Sequence, residues 1–175
     1  VVLNHDVTFA SGFDIDGSYQ MEPDSISVIG AKTIIDTITK IETTPLTLKD
    51  INSDIYNTIK LKLPDNNSEI KFSEKQIKIM GTVKKFTEGS FLVPVIVSNI
   101  PENVNIKYFP KEIEVIFYTS LDYFKTISAN NFRIECDYSL LNEENNKLIP
   151  RVVKQPDSVK NVRLATENIE FIIQQ

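Results

Sequence analysis

The sequence has no tryptophan, one cysteine, one histidine and five glycines in 175 residues, and each shortage removes a class of explanation. Cys136 alone cannot form an internal disulfide, and with a single histidine there is no Cys/His cluster to hold zinc. A lone thiol is neutral about compartment, because many domains outside the bacterial cytoplasm have no disulfides. Glu135 and Asp137 flank it and raise a thiol pKa, so Cys136 is expected to be a small packed residue and not a nucleophile. His5 lies near the start of the chain, where a general base has neither a buried setting nor a second residue to orient it. Long apolar runs are missing as well. The longest, Phe91 to Val97, is interrupted by Pro94 and falls far short of the ~20 residues that span a bilayer. Positive charge is also scarce: 19 Lys and Arg against 24 Asp and Glu give a net charge of -5 and a pI near 5.0. That argues against a nucleic-acid partner, which needs a clustered positive field. Lys60, Lys62, Lys71 and Lys78 alternate with apolar residues, as solvated strand faces do.

What remains is the balance of a globular protein, 41% apolar and 25% charged. The core must come from Ile, Val, Leu, Phe and Tyr. The dominant period is two, which sends alternate side chains to opposite faces of a strand. Ile59-Lys60-Leu61-Lys62-Leu63, Ile113-Glu114-Val115-Ile116-Phe117 and Ile169-Glu170-Phe171-Ile172-Ile173 read as half-buried strands. Pro23 and Pro110 sit before such runs, where a missing N–H costs little, and Pro94 within Val93-Pro94-Val95 predicts an edge strand. Two segments look helical. Ile34, Ile35, Ile38 and Ile41 follow Thr33, with Asp36 three residues on as in a capping box, and Ser120 precedes Leu121, Phe124 and Ile127.

The chain also repeats itself. Ser11 to Val28 superposes on Ser98 to Val115 at an offset of 110 − 23 = 87, which aligns Pro23 with Pro110, Ile26 with Ile113 and Val28 with Val115, and places Phe9 on Ile96. Further on the offset is 156 − 64 = 92: Pro64-Asp65 falls on Pro156-Asp157, and Ile70 to Met80 falls on Val162 to Ile172 with apolar on apolar at each core position. The difference implies five extra residues in the second copy, expected in the polar stretches Ala129-Asn130-Asn131 or Asn142 to Asn146. The expected architecture is therefore mainly β, a β-rich α+β chain of two tandem modules, 1–87 and 88–175, each a twisted sheet with one short helix. Thr87-Glu88-Gly89-Ser90 is read as the turn between them. Modules of roughly 85 residues bury little volume and are expected to be only moderately stable alone.

Asp14-Ile15-Asp16-Gly17-Ser18 is the one stretch that looks catalytic, since D-x-D-G-[ST] opens phosphotransferases of the haloacid dehalogenase type, with an aspartate nucleophile beside Mg²⁺. No alternating α/β pattern follows, and the superposed Pro101 to Asn105 offers only Glu102. An Asp- and Gly-rich turn explains the stretch better. A calcium loop of the EF-hand kind is excluded because its glycine stands sixth and Gly17 is fourth, which leaves an irregular cation site at Asp14 and Asp16 as the remaining metal question. Asn142-Glu143-Glu144-Asn145-Asn146 reads as a solvated hairpin connection. The expectation is a chain with no catalytic residues, no cofactor and no metal site.

Pro23-x-Ser25-Ile26-x-Val28-x-Gly30, a short helix, and then Ile41-Glu42-Thr43-Thr44-Pro45-Leu46-x-Leu48 resemble a YbbR-type repeat. Val93-Pro94-Val95-x-Val97-x-Asn99-Ile100-Pro101 with Phe109-Pro110-x-x-Ile113-x-Val115 resembles the opening of another, although Phe117 replaces Gly30 and the Thr-Thr-Pro-Leu string is missing. The resemblance implies β-rich modules outside the cytoplasmic membrane behind a single N-terminal transmembrane helix, some of which regulate a membrane diadenylate cyclase. It supplies no catalytic residues. The chain begins Val1-Val2-Leu3, and a signal or anchor upstream of residue 1 is the matching expectation. The partner expected is a membrane or envelope protein, bound through a sheet edge or face. The alternative is an envelope glycan or peptide held by exposed aromatics, for which Tyr108, Tyr118, Tyr123 and Phe124 are the candidates.

Overall fold

A computed structural model describes residues 1–64, 70–141 and 147–174, so Asp65 and the Asn142 to Asn146 stretch lie outside the described residues. Strand makes up 55% of the described residues and helix 9%, a mainly β chain. Contacts divide it into two compact units, Val1–Lys85 and Phe86–Gln175.

In the first unit four antiparallel strands lie in the order Gln20–Glu22, Gln76–Gly81, Ile55–Lys62, Glu42–Thr43. Period two decides their faces: Ile59, Leu61, Ile77 and Ile79 turn inward to a core completed by Ile41 and Leu46, and Lys60, Lys62 and Lys78 turn out. Each buried aliphatic side chain stabilises by about 1.5–3 kcal/mol. His5–Phe9 pairs in parallel with Leu46–Ile51, and Phe13–Ile15 runs antiparallel to Val83–Lys85.

The long strand Val83–Ser98 continues into the second unit. There Phe86 to Pro94 pairs antiparallel with Glu112–Ser120, and Val95 to Ser98 pairs in parallel with Arg133–Asp137. Arg151–Lys154 and Val159–Leu164 flank these two partners. A separate antiparallel sheet has the order Asn105–Phe109, Ile169–Gln174, Lys147–Leu148. Val93, Ile113, Val115, Phe117, Ile134 and Ile169 form the centre of this unit's core.

Three local expectations are corrected. Pro94 does not mark an edge, because its strand has neighbours on either side in the sheet order; it stands where pairing with Glu112 ends and pairing of Val95 with Ile134 begins, so the lost N–H falls at a change of partner. Thr87 to Ser90 is not a turn but continuous strand opposite Thr119 to Ile116. Thr33 caps nothing: the helix Lys32–Ile35 starts after Ala31, which has no capping side chain, and Asp36 closes its end. The Thr37 hydroxyl donates to the Ile34 carbonyl at 2.6 Å, a local bond that competes with further helix, and Ile41 joins the core beyond it. Ser120 does precede the helix Leu121–Phe124, its buried hydroxyl without a partner among the described residues.

The registers of the two units can be compared pair by pair. Gln20↔Met80, Met21↔Ile79 and Glu22↔Lys78 become Lys107↔Ile172, Tyr108↔Phe171 and Phe109↔Glu170 when 87 is added to the first partner and 92 to the second. The same two offsets carry Val28↔Phe72 and Ile29↔Lys71 onto Val115↔Leu164 and Ile116↔Arg163. Thr58↔Lys78 and Ile59↔Ile77 become Lys147↔Glu170 and Leu148↔Ile169 with 147 − 58 = 89. Before Gln20 the offset of 87 fails. Ser98 is in a strand paired with Asp137 while Ser11 is in a turn, and the strand Phe13–Ile15 superposes on the turn at Pro101. No core residue fixed the gap-free alignment there, so Asp14 and Asp16 have no positional counterpart at Pro101 to Asn105.

Candidate functional site

The groove on the small sheet of the second unit is built by strand parity. Along Asn105–Phe109, Ile106 and Tyr108 face inward and Lys107 and Phe109 face out; along Ile169–Gln174, Ile169 and Phe171 face inward and Glu170 and Ile172 face out. Register then sets two rows across the outer face. Phe109 lies opposite Glu170, which lies opposite Lys147, and Lys107 lies opposite Ile172. With Lys111 these side chains border a groove of about 690 Å³ over Tyr108 and Phe171. Tyr108 is fixed beneath it: its hydroxyl donates to the Val95 carbonyl at 2.8 Å, and the Lys111 Nζ stands 3.3 Å from its ring centre.

Phe109 is 77% exposed and Ile172 64% exposed. Large apolar side chains grouped in a concave surface mark a binding site more often than a solvated face. Among the described residues around the groove, Lys107, Lys111 and Lys147 outnumber Glu170, against a chain of net charge -5. Among the described residues that line it, none pairs a nucleophile with a base. The corresponding row of the first unit is Glu22, Lys78 and Thr58, beside Glu74 in a groove of about 320 Å³ without an exposed aromatic.

Among the described residues that line this groove, Tyr108 is the one singled out from the sequence as a candidate. Asp16 pairs with the Lys84 Nζ at 2.7 Å, and Asp14 Oδ1 accepts the Ile15 N–H at 2.7 Å. Burial first, and then the Asp14 charge, raise the Tyr19 pKa. No group of three or more His, Cys, Asp and Glu among the described residues is arranged to hold a metal ion. His5 lies against the Tyr19 ring with centroids 4.8 Å apart. Cys136 is 0% exposed, and burial pushes its thiol up to about 11. Among the candidate aromatics, Tyr108 lines the groove, Tyr118 stacks on Phe86 at 5.0 Å, and Tyr123 and Phe124 are exposed on the helix Leu121–Phe124.

Sequence reasoning missed Phe109, Ile172 and the three lysines. The signal for Phe109 was present: in Ile106-Lys107-Tyr108-Phe109-Pro110 the inward phase belongs to Ile106 and Tyr108, so Phe109 had to point out. Which side chains stand beside it depends on cross-strand register, which local spacing does not contain.

No helix among the described residues is long and apolar enough to cross a membrane. Comparison with the curated proteins and with the solved structures finds no match. Residues 1–80 match the family model described as YbbR-like protein, and this stretch of the chain is a YbbR-like domain.

Proposed function

We propose that the chain is a non-catalytic pair of YbbR-like modules, held outside the cytoplasmic membrane by an N-terminal helix, that binds or regulates a membrane or envelope protein. The observation that carries it is the cross-strand register. The family match covers 1–80, and five pairings from Gln20 to Ile29 convert into pairings of the second unit by offsets of 87 and 92. That is the relation expected of a second copy of one module. The commitments of Asp14, Asp16 and Cys136 to local contacts or burial support a binding role over catalysis. A diadenylate cyclase is the partner class that the family resemblance brings forward.

Proximity crosslinking in intact cells with the full-length protein tests this reading. Recovery of an envelope or membrane protein is the expected result. A full-length gene product with neither a signal peptide nor a membrane helix, found in the cytoplasm, overturns it. The second reading, an envelope glycan ligand, draws on Tyr123 and Phe124, exposed on one helical turn. A glycan array at background level removes it.

A further inference from the structure

We infer that the groove over Tyr108 and Phe171 is a docking site for an extended, acidic segment of a partner protein that carries an apolar side chain between carboxylates. The inference rests on the binding reading above and names where and what it binds. Four observations converge. The exposed pair Phe109 and Ile172 lies diagonally across two hydrogen-bonded strands, which is the size of surface that one aliphatic or aromatic side chain covers. Lys107, Lys111 and Lys147 surround that pair, with Glu170 as the one carboxylate among the described residues that border the groove. Asn105–Phe109 is the outermost strand of its sheet, so an extended segment laid beside it runs past Lys107 and Phe109 in turn. The row equivalent to that of Phe109 in the first unit, Glu22-Lys78-Thr58, lacks the aromatic and carries the acidic neighbour Glu74, and the next row there, Gln20-Met80-Tyr56, has exposed Tyr56 but no lysine, so it is the basic character that belongs to the second unit.

The charge selects the occupant. A second copy of the chain docked face to face through this groove would set lysine against lysine, which costs several kcal/mol and disfavours a symmetric dimer here. An acidic segment meets the lysines favourably, and its apolar side chain removes Phe109 and Ile172 from water.

A fluorescein-labelled peptide with the motif Glu-Ser-Leu-Ser-Glu is the probe, because alternation places its two carboxylates and the leucine on one face of an extended chain. Titrated by anisotropy into the whole chain, it should bind more tightly than peptides with lysine for glutamate or serine for leucine. Phe109→Ser should weaken it about tenfold or more, as loss of an apolar contact of this size does. Lys107→Glu with Lys147→Glu should weaken it further and reverse its salt dependence, because the charge around the groove changes sign. Glu22→Ala in the first unit should leave it unchanged. All these positions are exposed, so the variants keep their fold, and circular dichroism checks it.

Equal binding by parent and Phe109→Ser, or equal binding of the lysine peptide, overturns the inference. So does a sedimentation equilibrium in which the parent dimerises and Phe109→Ser does not, which assigns the groove to a second copy. Repeating the cellular crosslinking with the Phe109→Ser, Lys107→Glu, Lys147→Glu variant separates this inference from the reading beneath it. Undiminished capture removes the groove and keeps the binding role. No capture by the parent chain removes the binding role itself.

Discussion

Gly89→Ala should destabilise the second unit, although the residue sits in ordinary strand conformation where alanine is normally welcome. A Cβ built at Gly89 comes within 2.7 Å of Phe124 Cε2 and 2.8 Å of Phe117 Cζ, whereas carbon atoms rest at about 3.5–4.0 Å. Phe124, 38% exposed at the end of a single helical turn, can swing aside. Phe117 cannot: it is 1% exposed and packed against Phe91, stacked at 5.5 Å, and Phe132, tilted at 5.3 Å. Overpacking a filled core costs about 1–3 kcal/mol, and the stiffer unfolded chain returns about 0.4–1 kcal/mol. The net is a loss of about 1–2 kcal/mol, a Tm lower by about 5–15 °C for a unit of this size. Urea and thermal unfolding followed by circular dichroism measure it. Phe117→Leu removes the ring tip, so Gly89→Ala with Phe117→Leu should cost less than the sum of the two single changes by about 1 kcal/mol. A neutral or stabilising Gly89→Ala, or strict additivity in the double variant, refutes the reasoning and returns Gly89 to a residue chosen for its backbone.

Ile79→Ala should cost about 2–5 kcal/mol by opening a cavity at a residue that is 0% exposed, measured by the urea midpoint of the first-unit transition. Cys136 holds its proton up to about 11 when folded, above the ordinary thiol near 8.5. The folded chain therefore binds more protons than the unfolded one between those values, and stability, fully present below the window, falls as pH rises through it. Unfolding midpoints taken from about pH 7 to about pH 11 should show that fall in the parent and less of it in Cys136→Ala, and Ellman's reagent should label the native chain only as fast as it opens. Asp137 has its carboxyl held below the usual range by hydrogen bonds from Ser139 and then Asn99, so its contribution is present above the ordinary Asp value and is lost as pH falls through the depressed one. Asp137→Ala should abolish that acid-side component and speed amide exchange at Ser139. Millimolar calcium or magnesium should leave the Tm unchanged, because the Lys84 ammonium already neutralises Asp16; a rise that Asp14→Asn or Asp16→Asn abolishes would restore a cation site there.

The strands were legible because alternation is a local property. In Ile59 to Leu63, Ile113 to Phe117 and Ile169 to Ile173 the structure buries Ile59, Leu61, Ile113, Val115, Phe117, Ile169 and Phe171, while the pattern lapses at the ends, where Leu63 is half-buried and Ile173 exposed. Helix ends were not legible. Ile34, Ile35, Ile38 and Ile41 carry a helical spacing, but a four-residue helix gives spacing no second turn to act on, and the last of them is drawn into the sheet core. Gly89 misled for a related reason: a glycine next to polar residues is the mark of a turn, and the ring tips that require it at this position come from Phe117 and Phe124, far along the chain.

Register explains why the candidate groove was the hardest feature to foresee. Inward residues are constrained together by one core, so Ile77 and Ile79 occupy the positions of Ile169 and Phe171 in the pairing scheme and all four are buried. Outward residues are held only to their partners across the strand. At the same positions Glu22 stands against Phe109, Lys78 against Glu170 and Thr58 against Lys147, a reversal of charge at the centre and a gain of apolar surface at one end. Neither change disturbs a buried side chain, so the fold exerts little pressure on either. A face that tolerates any solvated residue has no structural reason to place Phe109, 77% exposed, within a ring of lysines. The divergence between the two rows is thus one that packing does not account for, which is why the proposed docking site is placed there.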